Sequence, residues 1–453
     1  MRIQPFPAWR PIESAVAKVA SVPYDVVDRA EAAALAQNQP LSFLHVTRSE
    51  IDLPEATAPY DDAVYAAARD HFSTLQKRGT LIQESNPALY IYRQVREGHA
   101  QRGIVAGCHT DDYAADRIKK HEKTRPDKED DRCRHILELR AHTGLVFLTY
   151  RDEPSVDALV QVTEAQTPLY DFTAADGVRH TVWRVIKSLG LAKAFNRVPC
   201  VYIADGHHRA AAAFRVAERM RAANPRHTGQ EDYNWFPAVL FPASQLKILP
   251  YNRCVRDLNG LTEAAFLEAV RRKFTLTVKH PDASRGATCS AVVALATQVE
   301  SLRNPAKPGT PFLPVASHRV SWRRRANACP IPPGKTHAAM FLGGRWFEMS
   351  WTPDSKADPV AALDVSVLQN NLLAPILGIA DPRTDKRIEF VGGIRGTQEL
   401  EQRVKTGRAA AAFSMAPATV AQLMTIADAG QCMPPKSTWF EPKLRDGLLV
   451  HTF

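Results

Sequence analysis

Val201-Tyr202-Ile203-Ala204-Asp205-Gly206-His207-His208-Arg209 decides how this chain is read. Its first four residues are a short apolar run and predict a buried strand. The alanine-rich segment from Ala210 to Arg221 contains neither Gly nor Pro and predicts a helix. The polar pentad Asp205 to Arg209 is then a strand-to-helix turn. A helix N-terminus offers unpaired backbone N–H groups and a partial positive charge. Gly206 lets a ligand approach the backbone, and two imidazoles and a guanidinium add donors at the same place. Such a turn binds an anion, with phosphate the obvious one. The plainer alternative makes Asp205 a simple cap and the histidines core residues, but Gly-His-His-Arg at one turn favours the anion.

Composition sets the frame. A chain of 453 residues is too long for one ordinary core and predicts two or three domains. A hydrophobic content of 45% suits a globular chain, and no apolar run approaches a membrane span. The start, Met1 to Pro7, lacks a secretory apolar core, so a cytoplasmic protein is expected. Cys108, Cys133, Cys200, Cys254, Cys289, Cys329 and Cys432 form no Cys-x-x-Cys pair, which argues against a disulfide framework or a zinc knuckle. The net charge of +10 favours anionic ligands without naming one. Part of the excess sits at Arg319, Arg323, Arg324 and Arg325, read as a solvated segment first and a nucleic-acid contact second.

Periodicity places the other elements. Asp61 to Lys77 predicts an amphipathic helix burying Val64, Ala68, Phe72 and Leu75, ended by Gly79. A short helix is expected from Glu31 to Gln37. Leu89 to Tyr92 and Gly103 to Gly107 predict hairpin strands about Glu97-Gly98. Further strands are expected at Leu145 to Leu148 and Phe236 to Phe241, with a helix near His180 to Leu189. A second hairpin turns at Gly343-Gly344. Lys279 to Lys335 reads as an insertion or linker. The expected organisation is an N-terminal α/β region (1–100), a phosphate-binding core (101–245) and a C-terminal α+β domain (246–453) with a basic insertion near 280–336.

Three further segments have chemical potential. His121-Glu122 lies in a charged run, where a carboxylate beside bound phosphate would accept a hydroxyl proton or help hold Mg²⁺. On residue content alone a solvated, salt-bridged helix is the first reading. Lys436-Ser437-Thr438 offers an ammonium and two hydroxyls to phosphate, or is a proline-stiffened loop; the glycine run of a P-loop is missing. Gly392-Gly393-Ile394-Arg395-Gly396 is a weaker anion-wrapping pattern. Neither Gly-x-Ser-x-Gly nor His-Glu-x-x-His occurs, so a serine-triad hydrolase or zinc peptidase is unsupported.

The pentad and the helix after it resemble the phosphate-binding turn of the ParB/sulfiredoxin superfamily. The turn is most similar to that of the free-serine kinase branch, which reads Asp-Gly-His-His-Arg and carries a His-Glu pair upstream whose glutamate is the general base. His121-Glu122 matches that pair. Over nearly its whole length the chain resembles the bacterial family called domain of unknown function (DUF) 1015. The segments that carry this likeness are Pro23 to Val26, Ile118 to Thr124, Tyr202 to Arg209, Leu246 to Arg253 and Pro434 to Lys443. The resemblance implies an α+β protein, a mixed-sheet ParB/sulfiredoxin-like core with added N- and C-terminal α/β elements. It implies a phosphotransferase using ATP or ADP with Mg²⁺ on a small hydroxyl-bearing substrate such as serine, or on phosphoserine in reverse. Glu122, His121 and His208 would be catalytic. Asp205, Gly206, His207, His208, Arg209, Lys436, Ser437 and Thr438 would bind nucleotide or phosphate. His207 stands where sulfiredoxin has its reactive Cys, which removes that repair chemistry. The interval from Glu122 to Asp205 requires an insertion relative to compact kinases. The rivals are a ParB-like nucleotide-gated DNA-binding protein, which needs a helix-turn-helix after the turn, and a non-catalytic phosphate-ligand binder.

Overall fold

The apolar runs assemble into a nine-stranded sheet. The computed structural model describes residues 1–279, 337–354 and 356–453. The expected insertion near 280–336, with Arg319, Arg323, Arg324, Arg325, Cys289 and Cys329, lies outside these residues. The described chain divides into two compact units. The first comprises Met1–Ile248, Ala418–Pro435 and Phe440–Phe453; the second comprises Leu249–Pro417 and Lys436–Trp439. Residues 1–100 and 101–245 thus share one unit.

In the first unit the strand order is Ile118–Lys119, Val201–Asp205, Val146–Tyr150, Trp235–Pro242, His99–His109, Leu89–Arg96, Arg179–Val185 and Tyr170–Thr173, with Ile3–Gln4 pairing off the path against His99–His109. Two pairings are parallel, Ile118–Lys119 with Val201–Asp205 and Val146–Tyr150 with Trp235–Pro242; the others are antiparallel. The sheet is therefore mixed and the architecture α+β. Alternate side chains share a face. Ile104, Ala106, Cys108, Val146, Leu148, Ala238 and Leu240 pack with Ala210 and Ala213 of the helix His207–Ala223. That helix is rich in alanine because it is buried on two sides: Ala212 and Val216 also pack against Cys133 and Ile136 of the helix Pro126–Leu139. On the sheet, Phe440 packs its ring against Phe147, and Pro442 and Lys443 give backbone carbonyls to Gln101 and Gln94. Gln94 and Gln101 are fully buried, and Gln101 also donates to Gln94 Oε1 at 2.9 Å, so both amide nitrogens find acceptors inside the fold.

The helix Asp62–Lys77 buries Val64, Ala68, Phe72 and Leu75, with Gly79 at φ +68° beyond its end. The short N-terminal helix is Arg29–Ala36. The hairpin turn takes φ +49° at Glu97 and +80° at Gly98, the left-handed pair that suits strand twist. The expected helix near His180 to Leu189 is overturned. Arg179–Val185 is a strand hydrogen-bonded on both edges, and the helix begins later, at Ser188–Phe195. β-branched and aromatic residues at Thr181, Val182, Trp183 and Val185 suit the pleated, buried position that tertiary pairing supplies.

In the second unit six antiparallel strands run Thr275–Lys279, Arg345–Ser350, His337–Leu342, Ala411–Met415, Tyr251–Val255 and Ile388–Gly392. The hairpin His337–Leu342 and Arg345–Ser350 turns on Gly343 and Gly344, both at positive φ. No helix among the described residues is long and apolar enough to cross a membrane. Cys108, Cys133, Cys200, Cys254 and Cys432 are all free thiols.

Candidate functional site

The strand Val201–Asp205 ends in an irregularity between Ile203 and Asp205, and the chain reverses at Gly206. Gly206 sits at φ +93°, ψ +32°, where a side chain is strained. A Cβ there would also stand 3.0 Å from Nε of Arg209. The helix starts at His207, three residues earlier than Ala210, and Gly206 gives it no side-chain cap. Its first N–H groups therefore have no capping side chain.

Parallel pairing brings the second element in. Ile118 pairs with Val201 and Lys119 with Tyr202 in the same direction, so both chains leave the sheet at the same edge. His121-Glu122 follows one strand and Asp205-Gly206 the other. The segment after Lys119 is a loop, not the solvated helix that residue content also allowed; the helix begins at Pro126. The Glu122 carboxylate lies 3.8 Å from Nδ1 of His207, with its side chain 39% exposed. The rings of His121 and His207 meet edge to face at 4.5 Å. The N–H of Met433 donates to the His121 carbonyl at 2.7 Å and fixes the loop.

Burial sets the protonation. His121 is 2% exposed and His207 5%. Neither ring nitrogen of His121, nor Nε2 of His207, has a hydrogen-bond partner among the described residues. Burial pushes His121 down to about 4, with only partial relief from the nearby Ile203 backbone, which falls short of hydrogen-bond geometry, and from Asp205. His207 is driven well below the ordinary histidine range by burial and by His121 beside it. Both are neutral at pH 7. His208 is half-buried; burial lowers it too, and its Nε2 accepts the Arg125 N–H at 3.1 Å, so its proton is on Nδ1.

Asp205 accepts the Gly206 N–H at 2.8 Å through Oδ1 and the Lys443 ammonium at 2.9 Å through Oδ2. Burial alone would raise its pKa, but Lys443 and Arg209 outweigh it and hold the carboxyl below the usual range. Arg209 is buried and turned inward, its guanidinium donating to the Leu145 carbonyl while Nε stays without a partner. Burial would lower its pKa, yet the carboxylates of Asp25, Asp205 and Asp446 raise it. Beneath the turn lies a cavity of about 30 Å³ whose lining includes Tyr24, Arg132, His142, Arg209 and Asp446. That is room for a water or two, not for phosphate. An anion at this turn would meet the outer side, at the helix N–H groups.

Lys436, Ser437 and Thr438 belong to the second unit. There Lys436 is exposed at φ +56°, its ammonium 5.4 Å from the Tyr251 ring centre, while Ser437 is buried. Lys443, Asp25 and Arg125 carry site charge or hydrogen bonds that residue reading left unassigned. The signal for two of them was there: Asp25 and Lys443 fall inside segments that carry the family resemblance, Pro23 to Val26 and Pro434 to Lys443. Only a single 3-10 turn, Asp232–Asn234, lies between His207–Ala223 and the strand Trp235–Pro242, too short for the recognition helix that the DNA-binding rival needs there.

The model of the family described as "Protein of unknown function (DUF1015)" matches residues 3–366. No curated protein matches the sequence. Among solved structures, a conserved hypothetical protein from Pyrococcus furiosus is similar at 11% identity and TM-score 0.33, covering 76% of this chain and 93% of that one. A free serine kinase in complex with AMP is similar at 11% identity and TM-score 0.32, covering 74% and 86%. C-terminally truncated SbnI from Staphylococcus aureus is similar at 10% and 0.35, covering 76% and 86%. Likenesses at this level assign no activity to the chain.

Proposed function

Since the chain belongs to the DUF1015 family, we propose from its site that it is a nucleotide-dependent phosphotransferase acting on a small hydroxyl-bearing metabolite, of the free-serine kinase type. One observation carries the reading: the Glu122 carboxylate stands 3.8 Å from His207 at the uncapped start of a helix. The first unit, with its mixed sheet and Gly206 turn, is read as a ParB/sulfiredoxin-like core.

The donor set fits the phosphates of ATP or ADP. The uncapped helix N–H groups favour an anion, and the Arg209 guanidinium beneath them adds positive potential. Mg²⁺, when bound, would neutralise phosphate charge, and Glu122 is a carboxylate placed to help hold it. Glu122 accepts the proton of the substrate hydroxyl, serine being the model substrate and phosphoserine its counterpart in reverse. Because His207 and His121 are neutral, this carboxylate faces no imidazolium that would blunt it as a base. Arg209, locked under Gly206, adds positive potential from beneath the turn, and His208 at the helix start adds an Nδ1 donor to a transferring phosphoryl group. Asp205 and Lys443 position the turn.

The test is phosphorus NMR on the purified protein with ATP or ADP, Mg²⁺ and a panel of amino acids. Glu122→Gln is expected to lower transfer by roughly 100-fold or more while nucleotide still binds. Full activity in Glu122→Gln removes the base. Failure of both nucleotides to bind at millimolar concentration removes the kinase.

A further inference from the structure

Another part of the first unit brings together two histidines and a carboxylate that play no part in the proposed transfer. His45 lies on the short helix Leu44–Thr47, Asp52 ends the turn Ser49–Asp52, and His71 projects from Asp62–Lys77. Both rings converge on one carboxylate oxygen. His45 Nδ1 is 2.7 Å and His71 Nε2 3.1 Å from Asp52 Oδ2, and the three potential ligand atoms all lie within 4.8 Å of one another. The side chains are 15%, 38% and 30% exposed for His45, His71 and Asp52, so an ion can enter from solvent.

The hydrogen bonding of His45 orients its ring toward Asp52. Its Nε2 is 3.2 Å from the Gln39 carbonyl, which only accepts, so Nε2 carries the hydrogen. In a neutral ring Nδ1 then turns a lone pair toward the Asp52 carboxylate at 2.7 Å. A proton on His45 satisfies this contact, and a metal ion bound by both groups would take the proton's place. A backbone carbonyl holding the far nitrogen is also how ligating histidines are commonly oriented. In a tetrahedral zinc site, ligand atoms about 2.0–2.1 Å from the metal are roughly 3.3 Å apart. The two observed separations need to open by only tenths of an ångström.

We propose that His45, Asp52 and His71 form a binding site for a divalent first-row transition ion, Zn²⁺ foremost, with further coordination positions left to water. Two imidazoles and one carboxylate suit Zn²⁺ or Co²⁺ and not Mg²⁺, which takes oxygen ligands. The site is thus distinct from the nucleotide chemistry proposed above.

The test uses the full chain, reduced and stripped of metal, titrated with Co²⁺ and with Zn²⁺ in competition with a chromophoric chelator. The wild type is expected to bind one equivalent with a visible cobalt d–d band and no thiolate charge-transfer band, and Zn²⁺ should raise its melting temperature. His71→Ala and Asp52→Ala should each weaken binding at least about tenfold, in line with the loss of a ligand, and His45→Ala with His71→Ala should abolish it. Circular dichroism without metal checks that the variants fold. A wild type that binds no more tightly than the double variant, or cobalt spectra showing thiolate ligation, would overturn the site.

Discussion

Two strand-to-helix turns in this molecule depend on glycine, one on Gly206 and the other on Gly392 and Gly393, and they use it for different reasons. At Gly206 the residue is needed for its backbone: φ is +93° and the helix begins at once. At Gly392 and Gly393 the need is for space. A Cβ on Gly392 would come within 2.8 Å of the Trp439 ring, and one on Gly393 within 2.6 Å of the Pro250 carbonyl. The chain there passes through a short helical turn, Gly393–Arg395, before the helix Gly396–Lys405. The first turn is also flanked by neutral buried imidazoles and a half-exposed carboxylate. Glycine after a strand thus answers to different demands at the two turns, and only the first brings buried imidazoles and a carboxylate to it.

Acidification gives the largest expected effect and separates the two units. His121, His135 and His451 are held down to about 4 and His180 to about 3, each chiefly by burial. Unfolding frees each to bind a proton near pH 6.5, so the unfolded state gains protons as pH falls through this window. The histidine contribution to stability is full above about pH 6.5 and is lost as pH falls toward 4, and toward 3 for His180. Each such histidine contributes on the order of 3 kcal/mol. Asp446, raised to about 7 by burial, acts in the opposite sense and offsets part of this. In the second unit Asp364, raised to about 6 by burial, favours the folded state on acidification. Hydrogen exchange should show amides of Val201–Asp205 losing protection between pH 6.5 and 4 before those of Ile388–Gly392. The reverse order would break the contrast.

Next in size is Asp205→Asn, which removes the carboxylate that the half-buried Lys443 ammonium meets at 2.9 Å. A loss of roughly 3 kcal/mol in urea unfolding is expected. A loss within experimental error would mean that Lys443 finds water easily and that the turn is looser than its geometry implies.

Gly206→Ala and Gly392→Ala sharpen the comparison directly. Each should cost about 1–2 kcal/mol, the first from left-handed strain and the second from overpacking against Trp439. Only Gly206→Ala should also weaken nucleotide binding, measured by calorimetry. Equal weakening in both variants would erase the distinction.

The local elements were legible. The apolar run before Asp205, the Asp61 to Lys77 face and both hairpins follow from short-range periodicity and left-handed turn residues. The strand Arg179–Val185 was not, because its identity depends on two neighbours pairing with it from distant sequence. Lys443 could not be assigned a partner from sequence for the same reason.

Residue order alone determined that a strand, a glycine turn and a helix follow one another, and that the turn carries two imidazoles and a guanidinium. Backbone periodicity and glycine's freedom at positive φ are properties of a few adjacent residues. The tertiary structure decided that Glu122 meets His207, that those imidazoles are neutral and that Arg209 faces inward. These depend on parallel strands leaving the sheet together and on the exclusion of water, which no single stretch of the chain encodes.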